Sequence, residues 1–152
     1  MNITFFFESY MRKLKISKSL NLSPTNLGLM SDFILFCMNT LPVKGGFVVT
    51  VDSKRGDNGI KTTGAYLVGR NEVMVYGKNR ALVDVLRSIA HEMAHMMQDE
   101  TGMIDGPVQD AGGFHEDQAN AKAGELIKLY AKSMPGREKI YESIKNKRNL
   151  LL

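Results

Sequence analysis

The stretch from about Arg80 to Glu100 can be satisfied by one element only, because it places His91 and His95 four residues apart in His91-Glu92-Met93-Ala94-His95. On a helix, residues i and i+4 stand on one face, one turn from each other. The surrounding residues agree with a helix. Leu82, Leu86, Ile89, Ala90, Met93 and Met97 make an apolar stripe, and Asp84, Arg87, Ser88, His91, His95, Gln98 and Asp99 make the opposite face. Both histidines are therefore expected to turn away from the packed side, into a cleft. Two imidazoles so placed can reach one Zn²⁺ at the usual nitrogen–metal distance of about 2.0–2.1 Å. Glu92 is not placed to ligate. It stands beside the open metal position, where a carboxylate can take a proton from water. Two of the three histidines in the chain lie in this motif.

The remaining segments frame that helix. Residues 3–20 read as an amphipathic helix with Phe6, Phe7, Tyr10, Met11 and Leu14 on one side. Ser23-Pro24 is a helix start, and the helix is expected to run to about Asn39. Phe47–Val51, Thr62–Val68 and Glu72–Tyr76 are strand candidates, the last two joined by a tight turn at Gly69-Arg70-Asn71. Asn79 is the expected cap of the motif helix and Gly102 its stop. Residues 101–113 read as a loop, Phe114–Ser133 as a helix, and Arg137 to about Lys147 as a short terminal helix. The expected class is α+β: a small, mostly antiparallel three-stranded sheet packed on the motif helix and a second ligand-bearing helix, with helical ends. Length favours one domain over 1–152, with a helical part at 1–42, a catalytic core at 46–133 and a basic tail at 137–152.

Composition removes several alternatives. The single cysteine, Cys37, excludes an intrachain disulfide and a multi-cysteine zinc site, and its apolar neighbours predict a buried thiol. The apolar runs fall far short of the ~20 residues needed to span a membrane. Arg12 and Lys13 follow the first apolar run instead of preceding it, against a secretory signal. A cytoplasmic or virion-associated location is expected. The net charge of +4 is divided into basic ends and an acidic middle, with no Lys or Arg between Arg87 and Lys122. The basic clusters read as solvated helix faces, so nucleic acid is not an expected partner. Asp99, Glu100, Asp105, Asp110 and Asp117 are expected to surround the cleft and to favour basic or neutral peptides.

A catalytic zinc needs a third protein ligand and an open position. His115, Glu116 and Asp117 are the candidates, and Asn120 lies one helical turn beyond Glu116. His91-Glu92-x-x-His95 followed by Glu116-x-x-Ala119-Asn120 resembles the gluzincin metallopeptidases, most closely their minimal prokaryotic and phage forms, over about residues 60–130. That resemblance implies a zincin-like fold, Zn²⁺ as cofactor, His91, His95 and Glu116 as ligands, Glu92 as general base and Asn120 as the residue that orients His91. His115 remains the rival ligand. The resemblance also implies peptide or protein substrates and a tyrosine or histidine that donates to the oxyanion, with Tyr76, Tyr130, Tyr141 and His115 as candidates. Substrates of such enzymes commonly add a strand to a sheet edge, and Val73–Tyr76 is the expected neighbour of that edge. The expected function is zinc-dependent peptide-bond hydrolysis. The alternative is a zinc-binding regulatory or virion-associated protein on the same scaffold, with little or no peptidase activity.

Overall fold

The computed structural model describes residues 1–55, 63–103 and 113–142. Its elements are β1 (Asn2–Phe7), β2 (Ser9–Ser17), α1 (Pro24–Thr40), β3 (Phe47–Asp52), β4 (Gly64–Leu67), β5 (Glu72–Tyr76), α2 (Leu82–Glu100) and α3 (Phe114–Ser133), followed by a 3₁₀ segment at Arg137–Tyr141. The class is α+β. The sheet is larger than expected and mixed: five strands in the order β1-β2-β3-β5-β4. The outer pairs β1–β2 and β4–β5 are antiparallel, and β2–β3 and β3–β5 are parallel. α1 is the crossover between the parallel neighbours β2 and β3, as a parallel pair requires.

The N-terminal segment departs most from the helical expectation over residues 3–20. It is a hairpin that turns at Glu8, with φ of 59°. Leu14 and Ile16 of β2 are buried, and they alternate with Lys13 and Lys15. That alternation, Lys13-Leu14-Lys15-Ile16-Ser17-Lys18, is a period-two pattern, which belongs to a strand. The aromatic run before it also supplies a helical face, and neither Gly nor Pro marks the turn. The part expected to be helical at 1–42 is therefore helical only from Pro24 onward, apart from a 3₁₀ turn at Lys18–Leu20.

Other boundaries follow their local signals. Ser23 Oγ accepts from the Asn26 amide at 3.1 Å, and Pro24 takes the first helical position. The β4–β5 hairpin turns over the expected residues, with Gly69 and Asn71 at φ of 80° and 50°. α2 starts later than the Asn79 cap predicts. Its cap residue is Ala81, which offers no side-chain acceptor. The Arg80 guanidinium bridges the approach instead, donating to Tyr76 O, Asp84 O and Ser88 Oγ. Gly102, at φ of 76°, ends α2 as expected, and the Met103 amide returns to Gln98 O. The terminal helix expected over Arg137 to Lys147 is 3₁₀ where described, and its remainder lies outside the described residues.

Burial alternates along β3 and β5, so one sheet face is fully covered and the other half-covered. The covered face carries Phe47, Val49, Val51, Val73 and Val75, in one core cluster with Phe33, Ile34, Leu86, Ile89, Met93 and Tyr130 of the helices. No helix among the described residues is long and apolar enough to cross a membrane.

Candidate metal centre

α2 and α3 bring the motif residues together. His91 and His95 lie one turn apart on α2, with Nε2 atoms 3.2 Å from each other. Glu116, in the first turn of α3, places Oε1 2.7 Å from His91 Nε2 and Oε2 3.1 Å from His95 Nε2. His91, Glu92 and His95 also form a group whose potential ligand atoms all lie within 4.8 Å of one another and could hold a metal ion. Both carboxylates thus lie at the rings, Glu116 in direct contact with each of them.

The histidines do not simply face an open cleft, as the helical wheel suggests. α3 covers them, and the His95 side chain is 3% exposed against 18% for His91 and Glu116. Burial lowers the His91 pKa, and the neighbouring Glu116 opposes that shift. Burial favours the neutral ring, which is the form that binds metals. Two neutral ring nitrogens facing a carboxylate at these distances repel one another unless a proton or a cation lies among them. The donor set therefore fits a metal.

A side-chain hydrogen bond with Asn120, one turn beyond Glu116 on α3, joins Glu116 in opposing the lowering of the His91 pKa by burial. His95 Nδ1 is 2.8 Å from Gln98 Oε1. Gln98 is fully buried and was not legible as a functional residue from the motif alone. Its position three residues after His95, on the same helix face, is the signal that could have found it.

The two residues after Gln98 grip other elements. Asp99 accepts from the Tyr66 hydroxyl and from the Gly69 amide, which fastens the β4–β5 hairpin to α2. Burial, and then Asp99, raise the Tyr66 pKa, so this phenol stays a donor. Glu100 accepts from the Lys44 and Gly45 amides between α1 and β3. Two of the carboxylates expected to line a cleft thus serve the fold. Asp105 and Asp110 lie outside the described residues, and Asp117 is exposed at the start of α3.

The strand nearest the centre is β4. A Cβ built on Gly64 would stand 3.3 Å from Glu92 Cγ and 3.3 Å from Met74 O, so β4 lies directly on the Glu92 side chain. Glu92 itself is 8% exposed. Among the described residues β4 is the edge strand on this side of the sheet, whereas Val73–Tyr76 belongs to the interior strand β5.

Among the tyrosines proposed as oxyanion donors, Tyr130 is committed elsewhere, with its hydroxyl 2.7 Å from Asp32 Oδ2 on α1. The Tyr76 ring lies under the Arg55 guanidinium, and Tyr141 sits in the terminal 3₁₀ segment. His115 Nδ1 is buried and makes no hydrogen bond among the described residues. Cys37 is fully buried on α1, where burial raises its pKa, as expected for a structural thiol. Comparison with protein-family models, curated proteins and solved structures finds no match to this chain, so its chemistry rests on the geometry of the centre itself.

Proposed function

We propose that the protein is a zinc-dependent peptidase of the gluzincin kind, with His91, His95 and Glu116 as the metal ligands and Glu92 as the general base. The observation that carries this reading is the convergence of His91 Nε2, His95 Nε2 and the Glu116 carboxylate at 2.7–3.2 Å. Tetrahedral ligands about 2.0–2.1 Å from a zinc ion stand about 3.3 Å from one another, so the three donors are close to a zinc-binding arrangement already. Three protein ligands leave a fourth position open, which distinguishes a catalytic from a structural site. The zincin-like fold is part of the same proposal, supported by a sheet edge lying along the motif helix.

Zinc supplies Lewis acidity, lowering the pKa of water and polarising a carbonyl oxygen. The chain supplies the rest. Glu92 takes one proton from the attacking water as its oxygen bonds to the carbonyl carbon. It passes that proton to the amide nitrogen as the carbon–nitrogen bond breaks, which releases a carboxylic acid and an amine. Asn120 holds His91 in place, and β4, the edge strand among the described residues, receives an extended peptide as an added strand.

The test is metal analysis of the purified protein, followed by hydrolysis of an unstructured peptide mixture before and after chelation and zinc return. One zinc per chain and chelator-sensitive cleavage are expected. A protein that takes up no zinc after reconstitution overturns the reading.

Gly64 gives a sharper prediction. Gly64→Val places branched carbons where a single Cβ already stands 3.3 Å from Glu92 Cγ. Displacing a catalytic group by about an ångström can cost on the order of 10²-fold in rate. Peptide hydrolysis is expected to fall by about 10–100-fold, with zinc content unchanged. Unaltered kcat in that variant would show that β4 does not set the position of Glu92.

A further inference from the structure

We propose that Gln98 is the positioning residue of this centre: it holds His95 in the tautomer with its proton on Nδ1, and it latches the turn of α3 that carries Glu116. The second half rests on the metal-centre reading above, whereas the first half does not.

The orientation of the Gln98 amide follows from its surroundings. Gln98 Nε2 is 3.0 Å from the His115 carbonyl oxygen and 2.8 Å from Gln118 Oε1. A backbone carbonyl can only accept, so the amide nitrogen is the end that faces it. The other end, Oε1, then faces His95 Nδ1 at 2.8 Å and can only accept. A hydrogen bond there requires the proton on Nδ1. In the neutral ring, Nε2 is left as a lone pair, pointed at His91 Nε2 and the Glu116 carboxylate. The opposite tautomer would set a bare Nδ1 against the Gln98 oxygen in a site closed to water, since Gln98 is 0% and His95 2% exposed.

The same amide fixes the second helix. His115 and Gln118, its two partners on α3, flank Glu116 in sequence. α3 starts at Phe114 after Gly113, whose φ is 90°, and its start has no side-chain cap. Gln98 therefore ties that first turn to α2 next to the ligand it must deliver. One side chain prepares a histidine on its own helix and a glutamate on the next.

The test uses the full chain with ¹⁵N-labelled histidine, metal-free and well above the ordinary histidine pKa. Long-range ¹H–¹⁵N spectra report which ring nitrogen carries the proton. The wild-type protein is expected to show His95 protonated on Nδ1. Gln98→Met, similar in length but without an acceptor, is expected to shift the ring to the Nε2-protonated form. Gln98→Glu keeps an acceptor and is expected to retain the wild-type tautomer. A space-filling role makes the methionine and glutamate variants alike. In parallel, zinc affinity is measured by competition with a chromophoric chelator, where Gln98→Met is expected to weaken binding by about 10–100-fold. An Nε2-protonated His95 in the wild-type protein, or one tautomer shared by wild type and Gln98→Met, overturns the proposal. Because the tautomer is read without metal, a protein that binds no zinc would sink the peptidase reading while this measurement still decides the role of Gln98.

Discussion

Replacing Glu92 by glutamine is expected to leave one zinc per chain in place and to reduce peptide hydrolysis by about 10²–10⁴-fold, the usual contribution of a general base. The substitution is nearly isosteric, so it fits beneath β4, where the Glu92 side chain meets Gly64. It keeps the shape and removes the carboxylate's charge and its ability to accept a proton. The result also separates the two carboxylates near the rings. Glu92 and Glu116 are each close enough to be considered as ligands, and Glu116 stands 2.7 and 3.1 Å from the two Nε2 atoms. If zinc is lost in Glu92→Gln and kept in Glu116→Gln, their roles are exchanged. If Glu92→Gln hydrolyses peptides at the wild-type rate, the centre is not a water-activating one of this design. Zinc stoichiometry and initial rates on one peptide, measured on the same preparations, decide among these outcomes.

The residues that form the centre were legible because their signal is local. His91, Glu92 and His95 lie within five positions, and the pairing of Glu116 with Asn120 needs only the pitch of a helix. What escaped depends on tertiary neighbours. Gln98 is one more polar residue on a helix face until α3 brings the His115 carbonyl against it. Asp99 and Glu100 resemble cleft charges until the β4–β5 turn and the α1–β3 loop place amides beside them. Three successive residues, Gln98, Asp99 and Glu100, thus bind α3, the β4–β5 hairpin and the loop before β3. The segment just after the motif is where the centre is fastened to the rest of the fold. The sheet was under-read for a similar reason. Lys13-Leu14-Lys15-Ile16 alternates as a strand should, but the aromatic run before it masks the period, and the turn at Glu8 carries no Gly or Pro. Parallel pairing of β2 with β3 joins segments separated by the whole of α1, which periodicity along the chain cannot report.

Alanine at His95 is expected to abolish stoichiometric zinc and, with it, all metal-dependent hydrolysis. Alanine at His91 should do the same, since each would supply one of the three protein ligands of the proposed site. The two variants differ in what they do to the metal-free fold. The His91 side chain is 18% exposed, so water can enter the space its ring leaves. The His95 side chain is 3% exposed, and its Nδ1 is the partner of the fully buried Gln98 oxygen. Removing that ring leaves a buried acceptor unpaired, at a cost of about 1–3 kcal/mol, and opens a cavity beside Gln98 on the same helix. His95→Ala is therefore expected to unfold at lower denaturant than His91→Ala, both measured without metal, although their zinc-binding defects are equal. Tight zinc in His95→Ala overturns the ligand assignment. Equal metal-free stability of the two variants shows instead that the Gln98 contact contributes little to the fold, and leaves the ligand assignment standing on the zinc measurement.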